Sequence, residues 1–187
     1  MSSNSTDESI VQRRYVSLHG TIDNSKSEKI VSALLRLESE DPQKDIVLLI
    51  NSTGGQIGAM FSIIDVMNLV RCDVNTVGIG YCYSAAALIL MCGSTGKRFA
   101  TPNSRVMIHQ ISAGSYGKIG EMDNAVKEIK ERQKDMEKLI LKRTKIKTKD
   151  LHGMLNTDYY MPPQVAMEFG VIDKCISSFG QMKLKNW

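Results

Sequence analysis

Twice in the first half of the chain, a short run rich in apolar residues ends at a glycine-bearing turn and gives way to helical spacing. Asp45-Ile-Val-Leu-Leu-Ile50 leads into Asn51-Ser-Thr-Gly-Gly55 and a helical stretch from Ile57 to Val70. Val74-Asn-Thr-Val-Gly-Ile79 leads into a turn from Gly80 to Ser84 and an Ala- and Leu-rich helix from Ala85 to Met91. A continuous apolar run leaves no face for water. It suits a strand buried on both sides, as in a parallel sheet covered by helices. The repeat therefore predicts βαβ units and an α/β fold.

The flanks extend the pattern. Arg14 to Gly20 reads as a strand, and Asp23-Asn-Ser-Lys-Ser opens a helix with Ser25 or Ser27 as its cap. Ile30, Leu34, Leu35 and Leu37 give that helix its apolar positions, and Pro42 lies beyond its end. Lys97–Ala100 and Arg105–Ile108 read as short strands around a Pro102-Asn103 turn. A glycine-rich segment, 113–120, precedes a long amphipathic helix from about Glu121 to Arg143. Helices follow near Lys149–Leu155 and Pro163–Phe169, with a last short strand at Val171–Asp173. Residues 1–9 read as a polar, mobile tail and residues 10–187 as one domain, long enough to bury a core.

Composition removes several function classes. The net charge is only +4, and the basic cluster Lys142–Lys149 reads as a solvated helix end rather than a nucleic-acid patch. No apolar run approaches the ~18 residues of a membrane span, and the polar, acidic start lacks the pattern of a secretory signal. The four cysteines, Cys72, Cys82, Cys92 and Cys175, form no CxxC pair, so buried free thiols in a reducing compartment are expected and no metal site is.

The chemistry-bearing candidates cluster at the two turns and downstream of them. Ser84 opens a helix, beside unpaired backbone N–H groups and the positive end of the dipole, where a developing oxyanion would be stabilised. Taken alone, such a serine is first a helix cap. Gly54-Gly55 lets backbone N–H groups come close to a substrate, or simply makes a tight turn. The chain has three histidines, His19, His109 and His152, and Asp158 sits in a turn-like Asn156-Thr-Asp-Tyr-Tyr. A triad needs a serine, a base and an acid that holds the base's tautomer, but sequence order does not place them together. One rival fails locally. The G-x-S-x-G elbow of α/β-hydrolases needs glycine at positions held here by Cys82 and Ala86.

Several segments carry a resemblance: Asp45–Ser52 with Gly54-Gly55, Gly80-x-x-x-Ser84-Ala, Gly96-Lys-Arg-Phe, and Pro102-Asn-Ser-Arg-Val-Met-Ile-His109-Gln110. Asp158-x-x-Met, Ala166, Gly170 and Ile172-Asp173 continue it, so that residues 12–177 resemble the proteolytic subunit of Clp protease. The resemblance implies a ClpP/crotonase-type α/β fold with repeated βαβ units and a protruding handle helix, matched by 121–143. It implies Ser84 as nucleophile, His109 as base and Asp158 as orienter, with the backbone N–H groups of Gly55 and Ala85 as oxyanion hole. It also implies self-association into heptameric rings stacked as a tetradecamer, and an AAA+ unfoldase as partner. Substrates would be unfolded polypeptides, bound along 113–120 by main-chain addition. No cofactor is expected in this chain, ATP being used by the unfoldase, and neither nucleic acid nor membrane is expected as partner. A cytoplasmic or organelle-stromal location follows.

The chain departs from the family at several places. Only Met1–Ser9 precede the match, which predicts altered pore gating. Val47 and Leu49 stand where the family carries aromatic residues along a docking groove, and Tyr159 where it carries an arginine that pairs across rings. Ile111, Ala113 and Thr53 replace a proline, a glycine and a proline beside the substrate. An active protease subunit is the main reading. A non-catalytic or partner-dependent ring subunit is the alternative, and a crotonase-type enzyme acting on a CoA thioester is a third.

Overall fold

The computed structural model describes residues 14–114 and 116–185, so the tail at 1–9 lies outside the described residues. In chain order the elements are β1 (Tyr15–His19), α1 (Asn24–Glu40), β2 (Ile46–Ser52), α2 (Ile57–Leu69), β3 (Val74–Tyr83), α3 (Ala85–Met91) and β4 (Arg98–Ala100). There follow β5 (Arg105–Ile108), α4 (Ile119–Arg143), α5 (Thr148–Leu155), β6 (Tyr159–Met161), α6 (Pro163–Glu168), β7 (Lys174–Cys175) and a closing 3-10 turn at Phe179–Met182.

The sheet runs β1-β2-β3-β4-β7, every neighbouring pair parallel, as the two apolar runs require. The strand expected to stop at Ile79 continues to Tyr83. Gly80 reads locally as a turn and does adopt a φ of 66°, but Asn51 Oδ1 accepts from Tyr81 N at 3.1 Å and the strand resumes after a register shift. Its first half pairs with β4 and its second half with β5. The Pro102-Asn103 turn therefore carries the chain from one station on β3 to the next. The strands it joins do not pair with each other but both lie parallel to β3. β5 then takes β6 as an antiparallel partner.

Two local expectations are corrected. The cap of α1 is Asp23, whose carboxylate accepts from Lys26 N at 2.8 Å, in place of Ser25 or Ser27. Ser27 is buried inside the helix, and its hydroxyl donates to Ala59 O of α2. The last strand is Lys174–Cys175 rather than Val171–Asp173. Val171 and Ile172 are core residues, and Asp173 is drawn off to Arg98.

The main core packs the sheet against residues of α1 to α6, with every residue of α3 buried. The other face is closed by the C-terminal segment, where Val47, Val77 and Phe99 pack with Ile176 and Met182. Val47 is therefore fully buried and unavailable to an open groove, contrary to expectation, while Leu49 is half-buried beside it. Helix α4 buries only Met136 and Ile140, near its C-terminal end, so most of its length projects from the core. Among the described residues no helix is long and apolar enough to cross a membrane.

Candidate active site

Ser84 stands between the end of β3 and the start of α3, with φ 55° and ψ −124°. A side-chain-bearing residue in that region costs about 1–3 kcal/mol and persists only where its surroundings hold it. Here both sides do. Ser84 N donates to Met107 O at 2.8 Å, and Ser84 O accepts from Ala87 N at 2.9 Å. The turn places Ser84 in the lining of a cavity of about 210 Å³.

The Thr53–Gly55 turn lies against it. A Cβ on Gly54 would come within 2.8 Å of Ser84 Cβ and 2.9 Å of Tyr83 O, so only glycine permits this approach. Gly54 N donates to Ser52 Oγ at 3.0 Å. Gly55 is held by a bridge to Ile22, whose carbonyl accepts from Gln56 N at 2.7 Å and would clash with any Cβ on Gly55. Gly55 and Ala85 both line the cavity next to Ser84. Ala85 is the first residue of α3, so its N–H is one of the donors a helix start leaves without an intrahelical acceptor.

The ladder between β5 and β6 brings the remaining groups together. β5 lies along β3 with Met107 opposite Tyr83, which carries His109 past Ser84. In the antiparallel pair Ile108 faces Tyr159, so one step further His109 faces Asp158. His109 Nε2 lies 2.9 Å from Ser84 Oγ. His109 Nδ1 lies 3.4 Å from Asp158 Oδ1, and the Asp158 side chain is half exposed at 53%. Tyr160 hydroxyl donates to the other carboxylate oxygen, also at 3.4 Å. The ring of Tyr160 meets that of Tyr83 edge-on, and Tyr81 lies against Tyr83 in turn. Sequence reasoning missed this tyrosine cluster, because Tyr160 lies on a strand that was not foreseen and Tyr81 and Tyr83 on the part of β3 expected to be a turn. Tyr159, where an arginine was expected, turns its ring to Phe169.

The other sequence candidates lie elsewhere. His19 ends β1 and His152 sits on α5, both exposed. Cys82 is two residues before Ser84 but fully buried, and burial pushes its thiol up to about 12, so it stays protonated at neutral pH and is no rival nucleophile. Ile57, Met60, Leu88, Met107, Ile111 and Met136 give the cavity apolar walls, and Thr53, Gln110 and Ser112 add polar groups to them.

A strained serine, an imidazole on its hydroxyl, a carboxylate behind the imidazole and a glycine turn beside them are the parts of an acyl-transfer site. Comparison with known proteins gives the same direction, since residues 2–179 match the model of the Clp protease family. The chain belongs to that family. It is 39% identical, over 167 residues, to the ATP-dependent Clp protease proteolytic subunit 4, chloroplastic, of Arabidopsis thaliana. That match covers 89% of this chain and 57% of the relative's length. Within the Clp protease fold, the cavity is bordered by the Thr53–Gly55 turn, the starts of α2 and α3, β5 with the segment that follows it, and the projecting α4.

Proposed function

We propose that this chain is a serine endopeptidase subunit of a Clp-type protease core, cutting unfolded polypeptides into short peptides. The observation that carries the reading is the 2.9 Å contact between His109 Nε2 and Ser84 Oγ, with Asp158 on the far side of the same ring. His109 takes the Ser84 proton as Oγ attacks the scissile carbonyl, and the N–H groups of Gly55 and Ala85 receive the developing oxyanion. The imidazolium then protonates the leaving amine, and the C–N bond breaks to give an acyl-enzyme. Water, deprotonated by His109, releases the second product and restores the serine. Asp158 holds the Nδ1 tautomer throughout.

Residues 111–114 belong to no strand of this chain and run from the cavity rim, so they suit main-chain pairing with an extended substrate. The cavity then takes the side chain preceding the scissile bond. Self-assembly into stacked heptameric rings and delivery of substrate by an AAA+ unfoldase complete the reading, with ATP consumed by the unfoldase. The free thiols, three of them buried, support a reducing compartment such as the cytoplasm or an organelle stroma. At 3.4 Å the His109–Asp158 contact is longer than a well-formed hydrogen bond, as catalytic contacts often are before substrate binds.

The test is labelling of the purified chain with a fluorophosphonate, mapped by mass spectrometry, with Ser84→Ala and Asp158→Asn beside it. The adduct is expected on Ser84 and absent from Ser84→Ala. Asp158→Asn is expected to keep the assembly and lose about 10³–10⁴-fold in peptide hydrolysis. A folded, ring-sized assembly that takes no label would point to the silent or partner-dependent subunit.

A further inference from the structure

Helix α4 meets the cavity and the segment that leaves it with two side chains one turn apart, Met136 and Gln133. Met136 forms part of the apolar wall. Gln133, on the same face three residues earlier, accepts from the backbone N–H of Ile111 at 2.8 Å. The orientation of its amide is fixed from behind, where Gln133 Nε2 donates to Glu137 Oε1 at 2.7 Å. A carboxylate only accepts, so the amide nitrogen must face Glu137 and the oxygen must face Ile111. Ile111 is itself a cavity residue and the first of the 111–114 segment. We infer that Gln133 is a positioning residue for bound substrate: it fixes the start of the 111–114 segment, and so the line along which an extended peptide lies. The inference rests on the peptidase reading above.

The geometry also says what Gln133 does not do. His109 is anchored on its own side of the link. Met107 O accepts from Ser84 N, and Gln110 N donates to Leu155 O at 2.9 Å. Releasing Ile111 therefore loosens the chain beyond Gln110 and leaves the Ser84–His109 contact in place. A residue acting this way shifts substrate affinity and spares the chemical step.

Gln133→Met keeps the length and helix propensity of the side chain and removes the acceptor. In the full-length protein it is expected to raise KM for a peptide substrate about three- to tenfold, the effect of one hydrogen bond, with kcat within about twofold of wild type. Labelling of Ser84 by a small fluorophosphonate, which makes no contact along 111–114, is expected to proceed at the wild-type rate. Amide hydrogen exchange at Ile111 is expected to speed up in the variant. An active wild type whose KM ignores the substitution overturns the inference alone. So does a fall in kcat at constant KM, which would place Gln133 behind His109. A wild-type chain that neither hydrolyses peptide nor takes up the fluorophosphonate overturns the peptidase reading, and the inference with it.

Discussion

Gly54 has no side chain, and what it lacks decides where Ser84 can stand. An alanine there would place a methyl carbon 2.8 Å from Ser84 Cβ and 2.9 Å from Tyr83 O, on a backbone whose φ of 101° already disfavours any side chain. Neither neighbour is the free end of a flexible chain, so the clash is relieved only by moving the nucleophile. Displacement by about 1 Å costs on the order of 10²-fold in rate. Gly54→Ala is therefore expected to lower kcat by at least that much while the protein still folds, checked by peptide hydrolysis beside a circular-dichroism melt. The glycine pair was legible in the sequence as a turn, and Ser84 as a serine opening a helix. His109 and Asp158 were legible only as members of a family pattern. Each has an ordinary structural use, and the pairing that joins them depends on a three-residue strand too short to show a period. Arg14 was legible only as the first residue of a strand, which begins instead at Tyr15. Arg14 is buried, and its guanidinium donates to four backbone carbonyls, among them Leu37 O and Asp41 O at the end of α1.

Among the elements, the helices were legible because a 3.6-residue apolar period survives over many residues. The strands were legible where they are long and buried on both faces. β6 and β7, of three and two residues, exist because their partners hold them, and nothing in their own sequence marks them. Arg98 shows how such holding works. Its Nη2 and Nε donate to the two oxygens of Asp173 at 2.6 and 3.0 Å, and its Nη1 donates to Arg143 O at the end of α4. One side chain on β4 thus fixes the approach to β7 and the base of the projecting helix. Lysine offers charge without the fork. With Arg98 only 10% exposed at its side chain, Arg98→Lys leaves part of this network unpaired and is expected to cost about 3 kcal/mol. The measurement is a urea midpoint that falls at constant slope. An unchanged midpoint would mean that β7 and α4 are held by their apolar contacts alone.

Across the whole molecule, four charged residues gather where the strands begin. Lys97 Nζ lies 2.6 Å from Asp45 Oδ2 and 2.8 Å from Asp73 Oδ2, ahead of β4, β2 and β3 respectively. Lys185 joins from the C-terminal segment, its Nζ 3.1 Å from Asp73 and its backbone N–H 3.2 Å from Asp45. The cluster ties the segment that covers Val47 to the sheet it covers. The hydrogen bond from Lys97 holds the Asp73 carboxyl below its usual range, against a smaller opposing effect of burial. A carboxyl lowered in the folded state adds stability above its unfolded value of about 3.9, and that stability drains away as pH falls through the folded value. Lys97 is shifted the other way: burial opposes its charge, but the hydrogen bonds to Asp45 and Asp73 prevail and raise it. Its contribution is complete below about 10.4 and is lost only in stronger alkali. The two shifts together predict a stability plateau through neutral pH with an acid edge below about pH 4. Asp73→Asn removes the charge and nearly keeps the shape. Its urea midpoint is expected to lie below wild type at pH 7, and the gap to close as both are titrated below pH 4, where wild type loses the same charge. A gap that persists in acid would assign the effect to packing of the C-terminal segment rather than to the ion pairs that fasten it.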